Sequence, residues 1–217
     1  MLEKILNDLR ATKTELIAVS KTKPAEQIEK LYQKGQRHFG ENYVQEIIEK
    51  ARILPQDIHW HFIGHLQSNK VKSIVPFVHL IHTLDSLSLL SEIDKQGKKN
   101  TRRINCLLQF KINDEETKFG LEEADLESFL GSVTFQNTTH VNIIGVMGMS
   151  TFTDDKMQVR REFQHLKSIF ENLKKTYFKD KTDFSEISMG MSDDYLIAIE
   201  EGSTMVRIGS LLFGKRE

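Results

Sequence analysis

The sequence predicts an α/β protein built as a single TIM-type (β/α)8 barrel with an extra N-terminal helix. Three observations carry that reading. Short β-rich runs alternate with amphipathic helical segments along the whole chain. Eight strands can be counted, the number at which a parallel sheet closes on itself. The turn after the first strand, Ser20-Lys-Thr-Lys-Pro24, holds no glycine, whereas an open doubly wound sheet normally places a glycine-rich dinucleotide turn there. The 217 residues include 30 Lys+Arg and 31 Asp+Glu, a formal charge of −1, with 39% hydrophobic residues. That is the make-up of one ordinary globular domain, taken as residues 1–217, long enough to bury a sizeable core.

The elements follow in order. Leu2, Ile5, Leu6 and Leu9 recur at helical spacing and give the opening helix one apolar face. Residues 16–20 read as a buried first strand. Pro24 suits the start of the next helix, Ile28, Leu31 and Tyr32 give its stripe, and Gly35 ends it. Residues 37–40 form the second strand, before a helix with Val44, Ile47, Ile48 and Ala51 on one side. The third strand, 59–63, precedes a helix ending at Pro76. The fourth, 78–82, leads to a helix capped by Asp85 or Ser86 and running to about Gly97. A fifth strand at 105–110 is followed by a helix marked by Leu126, Phe129 and Leu130. The sixth, 141–147, precedes the longest helix, with Val159, Phe163, Leu166, Phe170, Leu173 and Tyr177 along its inner side. The seventh, 186–188, leads to a helix with Tyr195, Ala198 and Ile199 inward and Gly202 closing it. The eighth, 204–208, leaves nine residues, too few for a full eighth helix. The N-terminal helix is expected to fill that gap in the outer ring.

Composition excludes several function classes. Near-neutral charge argues against a nucleic-acid binder, which would show a basic excess. The lone Cys106 excludes an intramolecular disulfide framework. The N-terminus breaks its apolar run with charges, unlike a signal peptide, and no apolar stretch reaches membrane-spanning length. A cytoplasmic protein without membrane or nucleic-acid partners is expected.

In such a barrel the active face is built at the C-terminal strand ends. Those positions are Lys21, Asn42, Gly64 with His65, Met147, the run Ser188-Met-Gly-Met-Ser192, and Gly209-Ser210. Ser188, Gly190 and Ser192 precede a helix, where backbone N–H groups attract anions. Alone, that run also fits an ordinary capped turn. Gly209-Ser210, after the eighth strand, completes a cup where this fold most often holds phosphate. Lys21 follows a buried strand, and partial desolvation there favours the free amine that Schiff-base chemistry needs. Arg207 either presents a cation in the barrel mouth or forms a structural ion pair; the sequence leaves both open. His59, His61 and His65 are close in sequence, but nothing along the chain completes a ligand set, so no metal is expected. The methionines 147, 149, 189, 191 and 205 read as core filling, or as a soft lining for a ring, and Cys106 as a buried core residue.

Several stretches resemble one family. Ala18-Val-Ser-Lys-Thr-Lys-Pro24, Phe39-Gly-Glu-Asn-Tyr-Val-Gln-Glu46, Trp60-His-Phe-Ile-Gly-His-Leu-Gln67 with Asn69-Lys70, and Met189-Gly-Met-Ser-Asp-Asp194 look like the pyridoxal phosphate homeostasis proteins. So does Glu201-Gly-Ser-Thr-Met-Val-Arg-Ile-Gly209 with Phe213-Gly214. The resemblance implies a barrel similar to the N-terminal domain of alanine racemase, carrying pyridoxal 5′-phosphate (PLP). By it, Lys21 makes the Schiff base and Ser188, Gly190, Ser192, Gly209 and Ser210 hold the phosphate, with Asn42 also at the cofactor. Arg207 would lie against the pyridine nitrogen. Since arginine keeps its proton, that nitrogen would stay unprotonated and the ring would be a weak electron sink. Lys118 and Gly120 match a lysine segment of the family. Gly145-Val-Met-Gly-Met149 departs from it, where many relatives have threonine after the first methionine.

The resemblance favours a protein that binds, buffers or delivers PLP, with PLP-dependent apoenzymes as acceptors, as a monomer or weak homodimer. The rival is a racemase-like PLP enzyme. Racemisation needs a second acid–base group, which alanine racemase takes from a further domain that is not expected here. Tyr43 comes nearest in sequence but opens a helix and is expected to pack there. A third reading, a barrel for some other phosphorylated metabolite, leaves Lys21 unexplained.

Overall fold

A computed structural model describes residues 1–113 and 119–214 of the chain. The chain opens with α1 (Leu2–Arg10) and then alternates β1 (Glu15–Val19), α2 (Ala25–Tyr32), β2 (His38–Glu41), α3 (Val44–Ile53) and β3 (His59–Phe62). Next come α4 (Val71–Ile74), β4 (Leu80–Leu84), α5 (Leu87–Lys99) and β5 (Ile104–Gln109). Two short helices, α6 (Leu126–Gly131) and α7 (Val133–Gln136), lead to β6 (Val141–Met147) and the long α8 (Lys156–Thr176). The chain continues through β7 (Glu186–Ser188), α9 (Tyr195–Glu200), β8 (Met205–Ile208) and α10 (Ser210–Phe213). The strands form a closed barrel in sequence order. Every neighbouring pair is parallel, and β8 returns to β1 with Leu16 opposite Val206, Ile17 opposite Arg207 and Ala18 opposite Ile208.

Where expectation and structure differ, the cause is local. The fourth strand starts at Leu80 rather than 78, because the Val78 N–H is still bonded to the Ile74 carbonyl at 2.8 Å. The helix expected after the fifth strand is broken at Ser132, whose hydroxyl accepts from the Phe135 N–H at 3.1 Å and starts α7. Tyr177, placed on the inner stripe of the long helix by its spacing, is 48% exposed because α8 ends there. Phe178 takes the inner place and stacks on Phe184 at 4.3 Å.

The main core lies between the sheet and its helices and joins α1 to the rest through Leu2, Ile5 and Leu9. Leu6 falls to the edge of that face and is 36% exposed. Burying Ile5 and Leu9 is worth about 1.5–3 kcal/mol each. The Tyr195 hydroxyl donates to Asp8 Oδ2 at 2.9 Å, which ties α1 to α9. The extra helix thereby closes the outer ring beside the β8–β1 seam, as its amphipathic face predicts.

Inside the barrel the filling is of two kinds. Leu80, Leu107 and Met147 form a small apolar cluster, with Ile144, Met149 and Met205 packed against it. The rest includes the buried polar side chains His61, His82, Ser188 and Arg207, which determine the electrostatics of the interior.

Candidate functional site

Six of the eight residues singled out in the sequence line one cavity of about 290 Å³ at the C-terminal ends of the strands: Lys21, Asn42, Ser192, Arg207, Gly209 and Ser210. Its apolar wall comes from Val19, Ile63, Met149, Phe152 and Met191, so Met191 lines the pocket and Met149 both lines it and packs on the interior cluster. Lys23 stands at the same opening.

Lys21 projects from a tight turn in which Lys23 N–H donates to the Ser20 carbonyl at 3.0 Å and Thr22 takes a positive φ of 63°. The turn is held from below. The Ser20 hydroxyl donates to Glu41 Oε1 at 2.6 Å. The Lys50 ammonium, on α3, reaches the Ser20 carbonyl at 2.8 Å, Glu41 Oε1 at 2.7 Å and Glu46 Oε2 at 2.9 Å. Glu46 Oε2 also accepts the Thr22 N–H at 2.7 Å. Burial pushes the Glu41 carboxyl upward, against the attraction of Lys50. Glu46, also opposed by desolvation, is drawn below its ordinary value by its bonds to Lys50 and Thr22. The motifs at residues 18–24 and 39–46 contain Ser20 and these two carboxylates; nothing in the sequence singled out Lys50.

Across the cavity, Ser192 Oγ accepts the Gly209 N–H at 3.3 Å, which joins the loop after β7 to the one after β8. The Asp194 carboxylate accepts from the Met191 N–H and from the Ser150 hydroxyl, so it braces the loop instead of capping α9 with its side chain. Gly190 does not line the cavity. Its φ is +93°, and a Cβ there would lie 2.5 Å from the Ala198 Cβ. The close approach that requires glycine is therefore to α9, a reason other than the ligand contact expected from the sequence. Its carbonyl accepts the Arg207 N–H at 2.9 Å.

Ser188 also lies away from the cavity lining. It is fully buried, and its hydroxyl oxygen accepts from Arg207 Nη1 at 2.7 Å while contacting His82 Nδ1 at 2.9 Å. The seventh strand turns this side chain into the barrel, where the hydroxyl is already committed, in place of the phosphate cup expected for it. Arg207 Nη2 donates to the Gly148 carbonyl at 3.0 Å. Arg207 thus faces the mouth on neutral acceptors and forms no ion pair among the described residues. Burial lowers its pKa to about 10, against the pull of Asp194, so it remains a cation at neutral pH.

Below Ser188 the contacts continue as a column of imidazoles. His82 Nε2 meets His61 Nδ1 at 2.9 Å, His61 Nε2 meets His38 Nδ1 at 2.9 Å, and His38 Nε2 meets His59 Nδ1 at 3.1 Å. Arginine can only donate, so Ser188 accepts from it; the hydroxyl has a second lone pair, so its contact with His82 Nδ1 runs in either direction, as the His82 tautomer dictates. With Ser188 donating, neutral His82, His61 and His38 each carry the proton on Nε2 and pass a bond toward His59. Desolvation holds His61 and His82 well below the ordinary histidine range, and neighbouring charges, His82 on His61 and Arg207 on His82, push the same way.

Asn42 Oδ1 is buried and has no hydrogen-bond partner among the described residues, although the side chain lines the cavity. Tyr43 neither reaches the cavity nor packs: it is 54% exposed on a neighbouring groove. Lys118 lies outside the described residues. Gly120, beside it in sequence, has φ +145°, and a Cβ there would sit 2.8 Å from the Lys111 nitrogen.

The sequence model of the alanine racemase N-terminal domain matches residues 2–217. The pyridoxal phosphate homeostasis protein of Pasteurella multocida is 40% identical over 206 residues, covering 94% of this chain and 87% of that protein. The chain belongs to the pyridoxal phosphate homeostasis protein family. The human member of that name is 40% identical over 220 residues, covering 97% of this chain and 79% of its own. The chain is also similar to the solved structure of PipY of Synechococcus elongatus without PLP, at 34% identity and a TM-score of 0.88, covering 99% of this chain and 100% of that one. PipY with PLP bound superposes with a TM-score of 0.86.

Proposed function

We propose that this chain binds pyridoxal 5′-phosphate in the mouth cavity and serves to hold, buffer and deliver that cofactor. The observation that carries the reading is the convergence of Lys21, Arg207 and the Ser192–Gly209–Ser210 edge on one cavity with apolar walls. The fit is chemical. A cavity of about 290 Å³ lies at the small end of ligand pockets, suited to a single-ring metabolite. The orphaned Asn42 Oδ1 calls for a donor from a ligand or water. When bound, PLP supplies an electrophilic aldehyde and a phosphate.

Lys21 provides the amine for the aldehyde, held by the Ser20–Glu41–Lys50 network at its base. Ser192, Gly209 and Ser210 provide hydroxyl and backbone donors for the phosphate. Arg207 offers N–H donors only, so a ring nitrogen set against it stays unprotonated. Val19, Ile63 and Met149 exclude water from the ring.

A carrier suits these residues better than an amino-acid racemase. Racemisation needs an acid–base group facing Lys21 across the substrate, and among the described residues no tyrosine or histidine lines the cavity. The same reading places the protein in the reducing interior of the cell, with PLP-dependent apoenzymes as acceptors.

The test is the near-ultraviolet and visible absorbance of the protein with added PLP, before and after borohydride, beside Lys21→Ala. A band that borohydride bleaches, with the adduct mapped to Lys21 and missing from the variant, is expected. A protein that stays colourless with PLP present overturns the reading. Catalytic turnover of free amino acids, in place of stoichiometric transfer to an apoenzyme, would overturn the carrier role alone.

A further inference from the structure

At the opposite, N-terminal mouth of the barrel, imidazoles from three strand starts converge. His38 opens β2, His61 stands two residues into β3, and His79 directly precedes β4. Each offers one ring nitrogen, and the three nitrogens lie within 4.8 Å of one another. We propose that His38, His61 and His79 form a site for one divalent transition-metal ion of the zinc, nickel and copper class.

The donor set fits that class. Imidazole nitrogens suit zinc, nickel and copper far better than magnesium or calcium, which take oxygen. Zinc holds imidazole nitrogen at about 2.0–2.1 Å, which sets tetrahedral donors about 3.4 Å apart, so modest side-chain rotation brings these three onto one ion. Imidazole binds such ions through the lone pair of a neutral ring, and the tautomer of each ring can turn that lone pair to the foot of the barrel. The rings are also braced. His59 stacks on His79 with centroids 4.4 Å apart and planes 11° from parallel.

Charge favours the site on balance. Glu15 Oε2 lies 3.9 Å from His38 Nε2, and Glu186 is close enough for its charge to act on Glu15. These carboxylates offset a cation that the neutral rings cannot. Arg102 is the opposing charge, felt at His79, but its guanidinium is engaged by the Val75 and Val78 carbonyls. His61 faces the foot through Nε2, so coordination there leaves its ring proton on Nδ1, toward His82. The upper column then runs toward Ser188, which turns its proton away from His82. An ion at the foot is thus felt beside Arg207 without contact with the mouth.

The proposal is independent of what the mouth holds, and its test uses zinc and copper alone. Full-length protein stripped with EDTA is titrated with Zn2+ by calorimetry, beside His79→Ala and His38→Gln. One equivalent at micromolar affinity is expected, weakened at least tenfold in each variant, with far-ultraviolet circular dichroism confirming that both fold. Should either variant not fold, the wild-type Cu2+ electron paramagnetic resonance spectrum decides: splitting from several imidazole nitrogens supports the site, and a spectrum without it overturns the proposal. No uptake of zinc above the buffer blank, or affinity unchanged in both folded variants, overturns it as well.

Discussion

Removing the Ser188 hydroxyl strips an acceptor from Arg207 and a partner from His82, both deeply buried. An unsatisfied buried polar group costs about 1–3 kcal/mol, so Ser188→Ala is expected to lower the urea unfolding free energy by about that much. An unchanged midpoint would show that Arg207 finds another acceptor. Gly190→Ala combines a positive φ with a 2.5 Å approach to the Ala198 Cβ. It is expected to destabilise by at least about 1–3 kcal/mol in the same assay. These two residues also mark where reading along the chain stops. Lys21, Ser192 and Gly209 were legible because strand ends of a barrel share one face. Whether a strand's last side chain enters the cup or turns into the barrel depends on register, and Ser188 turned inward. Gly190 looked like a ligand contact because glycine permits any close approach, including one to a helix.

At the scale of elements, α3 does more than cover the sheet: Lys50 reaches under the β1–α2 turn. Losing one partner of a buried ion pair leaves the other charge uncompensated, at about 3–5 kcal/mol. Lys50→Met is therefore expected to destabilise by that order in chemical denaturation and to weaken retention of PLP in dialysis. Adding Glu41→Gln to it should restore part of the stability, since the stranded carboxylate is then gone. If the double variant is worse than the single, the charge on Glu41 has another role. Helix stripes such as Ile28–Leu31 or Val159–Phe163–Leu166 were readable from periodicity, since burial repeats with the helical turn. The Ser20–Glu41–Lys50 network was not, because it joins three elements by single contacts with no periodic trace.

For the whole molecule, the polar interior makes stability depend on pH. His38 and His79 protonate near pH 4 when folded, against about 6.5 for an unperturbed histidine, and His61 and His82 are held low as well. Between those values the unfolded chain binds more protons, so stability rises with pH and is lost as pH falls from about 6.5 toward 4. Solvent screening tempers the contribution of His38 and His79 more than that of the fully buried pair. Thermal melts in EDTA are expected to show the midpoint falling through this window, and a flat profile would mean that the column opens to water. The barrel and its strand order were legible from eight alternating segments. The column was not: its histidines stand on three neighbouring strands and meet only once those strands pair, and they reach Ser188 only when the barrel closes.

That closure has a consequence in time. Ile17 and Arg207 face each other across the β8–β1 seam, and Lys21 and Gly209 stand just beyond it. The first and last strands of the barrel thus each carry half of the mouth, and pairing them requires the most distant contacts in the chain, which form slowly. A chain still emerging from the ribosome has Lys21 but no Arg207, so it can make no complete grip on a ligand. Once the seam shuts, a ligand gripped from both sides holds it shut by mass action. The cofactor would then act as a clasp on the fold, and its loss would loosen the molecule first along that one seam.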